Sequence, residues 1–135
     1  MKVTNAKHPN NASTTDFLKR YWTVSNSGIT SPSFNVTATY LPTDINGTVG
    51  NIAAAKYTGA LPWVKYSVLA SNILTATTVT NTGSGIVFSG ISNLVPSVSV
   101  SGGGAICAGG SASLSSTVTN NGTSSITYLW SPATG

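Results

Sequence analysis

Acidic residues are almost missing from this sequence. Only two of its 135 residues carry a carboxylate side chain, Asp16 and Asp44, and glutamate does not occur. Hydrolysis of glycosidic bonds by a general acid and a general base needs two carboxylates about 5–10 Å apart. Asp16 lies at the start of a predicted strand and Asp44 lies in a predicted turn, so their positions do not suggest such a pair. We therefore predict that the chain is not an enzyme and has no cofactor.

Basic clusters are also missing. The net charge of +4 comes from the shortage of carboxylates, because the six Lys and Arg residues are scattered and only Lys19 and Arg20 are adjacent. Proteins that bind nucleic acids gather their Lys and Arg side chains on one face. We therefore expect no nucleic-acid partner.

Long apolar runs do not occur either. No stretch approaches the roughly 20 apolar residues of a membrane-spanning helix, so we predict no membrane insertion. The first residues, "MKVTNAKHPNN", lack the apolar run of about 7–15 residues that a signal peptide needs. If the protein is secreted, we expect its targeting signal to lie outside this chain.

The sequence does contain the residues and the spacing of β-strands. In 34–41, Phe34, Val36, Ala38 and Tyr40 alternate with polar residues, which is typical of a strand with one face in water. Further predicted strands cover 16–25, 49–59, 63–70, 72–81 and 86–92, with turn residues between them. This spacing favours an all-β fold, an antiparallel β-sandwich.

Composition also suggests three parts. Residues 1–15 are polar and turn-rich and are predicted to be a loose lead-in, residues 16–95 the β-sandwich domain, and residues 96–135 the opening strands of a second domain, with Pro96 at the boundary. Strands predicted at 111–119 and 124–130, with the alternation that begins at Val98, are too few to bury two faces. We expect the last part to lean on the first domain, pair with another chain, or be poorly ordered.

Three single residues invite a chemical interpretation. His8 could serve as a catalytic base, but its polar surroundings favour a solvated histidine near the terminus. The stretch "DINGT" shares part of the spacing of a calcium loop, but with one carboxylate Asp44 is expected to bind the backbone of its own turn. Arg20 is predicted to point toward the core with Trp22, so it needs a partner there, and we expect it to contact Asp44.

Aromatic residues are the remaining functional candidates. Tyr57, Trp63 and Tyr66 occur within "KYTGALPWVKY" and could form a platform on which sugar rings stack. Large aromatic side chains are, however, buried on average, and the favoured interpretation is that the tryptophans belong to the core. The sequence leaves both open.

The end of the chain resembles a known class of repeat. "AICAGGSASLSSTV" followed by "SITYLWSPATG" is similar to the opening half of the Ig-like, PKD-like repeats in large secreted and cell-surface proteins of Bacteroidetes. The matching residues are Cys107, Gly109, Ser111, Leu114, Tyr128, Trp130, Ser131, Pro132 and Gly135. The resemblance implies that residues 96–135 are a truncated Ig-like segment. It also implies that Cys107 pairs with a second cysteine near the end of the full repeat, a part that these residues do not include.

The first ninety residues resemble a module of the same class of proteins. The matching residues are Arg20, Trp22, Tyr40, Asp44, Gly47, Gly59, Ala60, Trp63, Phe88, Ser89 and Gly90; the pattern departs from the module in lacking a Glu after Gly47. The resemblance implies tandem β-modules on a long exported protein, one that uses the type IX secretion route. From it we expect a non-catalytic structural or adhesive module, secreted or at the cell surface, whose partners are neighbouring domains of the same polypeptide. The alternative is a carbohydrate-binding module for a polysaccharide or a cell-surface glycan.

Overall fold

The computed structural model describes residues 1–26, 28, 32–80, 85–95 and 97–119. Within these residues the protein is all-β and its strands pair antiparallel, as the alternation predicts. The strands are β1 Lys2–Thr4, β2 Phe17–Leu18, β3 Tyr21–Val24, β4 Ser33–Thr39, β5 Ile45–Asn46, β6 Ile52–Tyr57, β7 Val64–Val68, β8 Ile73–Thr80, β9 Ile86–Ser92, β10 Ser97–Gly102 and β11 Leu114–Thr119. Two short 3₁₀ turns, Pro42–Asp44 and Val49–Asn51, precede β5 and β6.

A five-stranded sheet forms the centre of the fold. Its strand order is β1-β3-β9-β6-β7, so the late strand β9 is inserted between β3 and β6. Two further pairs, β4 with β8 and β2 with β5, form small sheets of their own. The predicted strand 16–25 is therefore divided into two strands that belong to different sheets. β2 pairs with β5, Lys19 and Arg20 connect the two strands, and β3 belongs to the five-stranded sheet.

The main core lies between the five-stranded sheet and the β4–β8 pair. Alternate residues of β4 and three residues of β8, Leu74, Ala76 and Val79, are buried in this core together with Trp22 of β3 and Phe88 of β9. The buried members of this inner core are Leu18, Trp22, Val36, Ala38, Tyr40, Ile52, Ala54, Leu69, Leu74, Ala76, Val79, Ile86 and Phe88. The alternation predicted for Val36, Ala38 and Tyr40 is confirmed.

The opposite face of the five-stranded sheet is covered as well. A second buried cluster contains Ala55, Trp63, Val87 and Ile91, and Tyr21 and Tyr57 pack against it. Successive residues of β9 thus point alternately into two apolar layers, and all seven residues of the strand are buried. Strands buried on both faces have little room for polar side chains, which explains the composition "IVFSGIS".

The layer on this outer face is residues 5–16, which we call the N-terminal strap. The strap links the edge strand β1, which pairs with β3, to β2. His8, Asn11, Ser13 and Asp16 of the strap are buried. The sequence suggested a loose lead-in here, and the structure instead places these polar residues against the sheet.

Residues 97–119 form a hairpin with two chemically different faces. The register pairs Val98 with Val118 and Gly102 with Leu114 on one face, while Ser101 pairs with Ser115 on the other. Val98, Val100 and Leu114 of the first face are about 56–64% exposed. Pro96 and the predicted strand 124–130, with Tyr128 and Trp130, lie outside the described residues.

Candidate functional site

The three aromatic residues of the predicted sugar platform do not share one surface. Tyr57 ends β6 and Trp63 immediately precedes β7, and their ring centroids lie 5.0 Å apart at an interplanar angle of 32°. Tyr66 of β7 packs instead against the inner core on the other side of the sheet. Trp63 is only 6% exposed. The structure therefore brings Tyr57 and Trp63 together, but not Tyr66.

His8 completes the arrangement, and the sequence analysis was wrong to expect it in solvent. Its imidazole is 8% exposed and lies edge-on to Tyr21 and Trp63, with ring centroids 4.9 and 5.2 Å away. A third ring, Tyr57, lies 5.2 Å away in a tilted orientation. Edge-to-face contacts at such distances are favourable for aromatic pairs. We call His8, Tyr21, Tyr57 and Trp63 the aromatic cluster.

The polar atoms of the aromatic cluster are paired with the strap. The Trp63 indole Nε1–H donates to the carbonyl oxygen of Asn10 at 3.0 Å, and the Asn10 side-chain amide donates to the Tyr57 hydroxyl. The Tyr57 hydroxyl in turn donates to the carbonyl of Gly59 at 2.8 Å. The backbone N–H of Asn10 donates to His8 Nδ1 at 3.2 Å. Residues 8–10 and the two strands are therefore held together by one hydrogen-bond network.

The strap also supplies hydrogen bonds to the central strand. β3 pairs with β9 only as far as Ser89, opposite Tyr21, so one side of Gly90–Ser92 has no strand beside it. There the Asn11 side-chain amide donates to the Gly90 carbonyl at 3.2 Å, and the Ser92 N–H donates to Ser13 Oγ at 3.0 Å. Buried backbone groups need partners, and two strap side chains provide them in place of a strand.

Both carboxylates of the sequence hold turns. Asp16, at φ +57°, accepts the backbone N–H of Thr48 at 2.7 Å. Gly47 beside it has φ +88°, and a Cβ there would lie 2.5 Å from the Asp16 carboxylate, so this turn requires glycine. Asp44 accepts the backbone N–H of Leu41 at 2.8 Å, which confirms the prediction that it binds its own turn.

Asp44 also makes the predicted contact with Arg20. The Arg20 Nε lies 2.7 Å from Asp44 Oδ2, and Nη2 donates to Oδ1 at 3.4 Å. The Nε–H is not aimed at the carboxylate, so the close approach at this nitrogen is an ion pair rather than a hydrogen bond. The pair fastens the chain between β2 and β3 to the turn before β5.

Burial changes the acid–base behaviour of three rings. Loss of solvation lowers the pKa of His8 below its ordinary value and raises the pKa of Tyr40 and of Tyr66. The nearest positive charge in sequence, Lys7, donates from Nζ to the Ser13 carbonyl at 2.6 Å and lies 4.5 Å from the Phe17 ring centroid. A neutral imidazole is therefore the form that fits the aromatic cluster.

The part of the chain that the structure describes contains no cluster of metal ligands and one exposed cysteine. No group of three or more His, Cys, Asp or Glu side chains comes together there to hold a metal ion. Cys107, in the connection between β10 and β11, is exposed and carries a free thiol. No helix in the described ranges is long and apolar enough to cross a membrane.

Comparison of the chain with protein-family models, with curated proteins and with solved structures gives no match. The resemblance to Ig-like, PKD-like repeats of Bacteroidetes surface proteins therefore stays a prediction.

Proposed function

We propose that the chain is a non-catalytic structural or adhesive module of a large secreted or cell-surface protein. The observation that carries the proposal is the use of the acid–base side chains. His8 accepts a backbone N–H of the strap, Asp16 accepts one from the turn at Thr48, and Asp44 pairs with Arg20. Side chains that catalyse proton transfer need a free position toward a substrate. Here these groups are engaged in contacts within the chain, with backbone N–H groups and with Arg20.

The hairpin β10–β11 supports a role among neighbouring domains. Its apolar face, with Val98, Val100 and Leu114, is open, while its other face carries serines and threonines. A two-stranded sheet of this kind gains stability only when its apolar face is covered. This fits a hairpin that opens a second, Ig-like domain, which a larger polypeptide would complete.

The experiment that tests this function uses the full-length protein in its source organism. Antibodies against the β-sandwich domain should label intact cells or the culture medium, and purified chain should turn over none of a panel of glycosides, esters and peptides. Labelling that requires cell lysis would contradict the surface location. Turnover that survives purification and is lost on unfolding would contradict the non-catalytic role.

Carbohydrate binding is the second candidate, and one observation favours it. The Tyr57 ring is only half-buried, and its hydroxyl meets the exposed Asn10 at the surface. Trp63 cannot offer a stacking face while it is 6% exposed. Binding to soluble and insoluble polysaccharides should therefore be compared between the wild-type chain and Tyr57→Ala, with Tyr66→Ala as the control. Binding lost only in Tyr57→Ala would favour this candidate, and no binding at all would favour the structural module.

A further inference from the structure

The N-terminal strap is held to the sheet by a small number of polar contacts. Two bonds reach β9, from Asn11 to the Gly90 carbonyl and from the Ser92 N–H to Ser13. Asn10 accepts the Trp63 indole N–H and donates to the Tyr57 hydroxyl, and at the end of the strap Asp16 accepts the Thr48 N–H. Val87 and Ile91 are buried apolar side chains of the outer face, in the same cluster as Trp63, whose ring contacts His8 of the strap. The strap therefore covers a surface that would be apolar without it.

His8 can make its contacts only when its imidazole is neutral. Nδ1 accepts the backbone N–H of Asn10 at 3.2 Å, and an acceptor nitrogen must carry a lone pair. Protonation at Nδ1 would place a second N–H against the Asn10 N–H, so the bond would be replaced by a repulsive contact. The His8 ring is also 8% exposed, and a charge at this position would lose most of its hydration.

The groups around His8 provide no counter-charge. Tyr21 from β3, Tyr57 from β6 and Trp63 before β7 face the ring, and none of these side chains has a carboxylate. The adjacent Lys7 carries a positive charge and would repel an imidazolium.

The only two carboxylate side chains of the sequence are occupied elsewhere, Asp16 at the Thr48 N–H and Asp44 at Arg20. Aromatic faces attract cations. This attraction opposes both the desolvation of the charge and the loss of the Nδ1 bond. Burial of the ring lowers the pKa of His8, which is the same direction as the loss of hydration and of the Nδ1 bond.

We propose that the N-terminal strap is a pH-dependent cover: protonation of His8 at Nδ1 releases the strap from the aromatic cluster and from β9. Release uncovers the outer face of the five-stranded sheet, while the inner core between this sheet and the β4–β8 pair stays folded. The separation is possible because the inner core contains no strap residue. The function proposed above is not needed for this inference.

The sign of the effect follows from the lowered pKa. With the strap released, His8 titrates near its ordinary value of 6.5, and with the strap docked it titrates lower. Docking is therefore most stable above pH 6.5, and it weakens as the pH falls through the pKa of the docked state. Between the two pKa values the opening equilibrium increases about tenfold for each pH unit.

Hydrogen exchange measured by NMR on the full chain can test the proposal residue by residue. The Ser92 amide, bonded to Ser13 Oγ, reports on the strap, and the Leu69 amide, bonded to the Ile52 carbonyl, reports on the body of the fold. Protection factors should be measured from about pH 8 to about pH 5, above the range in which carboxylates titrate. We expect the protection of Ser92 to fall below pH 6.5, by at most about tenfold for each pH unit, while that of Leu69 stays constant.

The variant His8→Phe retains an aromatic ring and removes the titration. In this variant we expect the protection of Ser92 to be independent of pH. An equal pH dependence in His8→Phe, or constant Ser92 protection in the wild-type chain, would overturn the proposal. Because the variant could fail to dock the strap at all, the wild-type His8 should also be titrated directly by its ring-proton chemical shift. A midpoint at or above 6.5 in the folded chain would overturn the proposal without any variant.

Discussion

The Arg20 guanidinium lies 2.7 Å from the Asp44 carboxylate and joins two parts of the chain that are separated by β3 and β4. Asp44 also accepts the backbone N–H of Leu41, so the same carboxylate pairs with a guanidinium and closes a turn. The side chains of the pair are 18% and 10% exposed, which limits the screening of the pair by water. Removing either partner leaves the other partly buried without compensation.

We expect Asp44→Ala to lower the free energy of unfolding by about 1–3 kcal/mol, because both the ion pair and the turn bond are lost. Urea unfolding followed by circular dichroism measures the change. Asp44→Asn keeps an acceptor for Leu41 and should lose less, and Lys19→Ala, at the exposed neighbour of Arg20, should have little effect. An unchanged midpoint in Asp44→Ala would show that the contact contributes nothing.

Gly90→Ala tests how tightly β9 is packed. A Cβ at Gly90 would lie 2.6 Å from Ile52 Cγ2 and 2.7 Å from Leu18 Cγ. We expect overpacking to cost about 1–3 kcal/mol, visible as a lower Tm. Gly50→Ala is the matched control, because no atom lies within 4 Å of the added carbon. Equal Tm values for the two variants would mean that β9 has more space than the structure shows.

Asn11→Ala tests whether the strap stabilises the fold. Asn11 is 2% exposed, donates to the Gly90 carbonyl and accepts the Ser13 N–H. Losing both bonds at a buried position should cost about 1–3 kcal/mol in chemical unfolding. Asn5→Ala removes the same side chain at an exposed position of the strap and should leave stability nearly unchanged. If the two variants behave alike, the bonds made by Asn11 do not stabilise the strap.

Tyr40→Phe should not lower the free energy of unfolding, unlike most substitutions in a protein core. The Tyr40 side chain is 1% exposed, and its hydroxyl has no hydrogen-bond partner among the described residues. Removing this hydroxyl should leave stability unchanged or raise it by about 1 kcal/mol, because burying an unpaired hydroxyl is costly. A clear loss of stability in urea would reveal a partner for the hydroxyl.

The alkaline side of the stability profile provides a second test of Tyr40. Burial raises the pKa of Tyr40 in the folded chain. The protonated hydroxyl therefore contributes its full share to the free energy of unfolding below the ordinary pKa of 10.0, and this share is lost as the pH rises through the folded pKa. We expect Tyr40→Phe to lose less stability than the wild-type chain above about pH 10, with Tyr66 accounting for part of the remaining slope. Identical slopes would mean that Tyr40 does not titrate with unfolding.

The sequence predicts those features that depend on neighbours in the chain. The alternation of Val36, Ala38 and Tyr40 is local, and the structure buries each of them. The contact between Arg20 and Asp44 was predictable because a buried Arg must find a carboxylate and the sequence offers few. A polar residue among polar neighbours shows no alternation that would indicate which side chains are buried. The burial of His8 could therefore not be derived from "KHPNNAS".

The candidate site was predicted in part for the same reason. Tyr57 and Trp63 do lie together, but Tyr66 belongs to the inner core. The spacing of three between Trp63 and Tyr66 indicates this separation, because successive side chains of a strand point to opposite faces. The strap was missed because its partners on β9 are distant in sequence. One signal was present: "IVFSGIS" is apolar or small at every position, which is typical of a strand covered on both faces.

The bonds from the strap to β9 also determine when the fold can be completed. Asn11 and Gly90 are 79 positions apart, as are Ser13 and Ser92. The strap is synthesised before β9, the strand that it covers, and β9 is separated from it by β2 to β8. Contacts of such long sequence separation are associated with folding times of about milliseconds to seconds. The earliest residues of this chain are thus expected to be among the last to find their place.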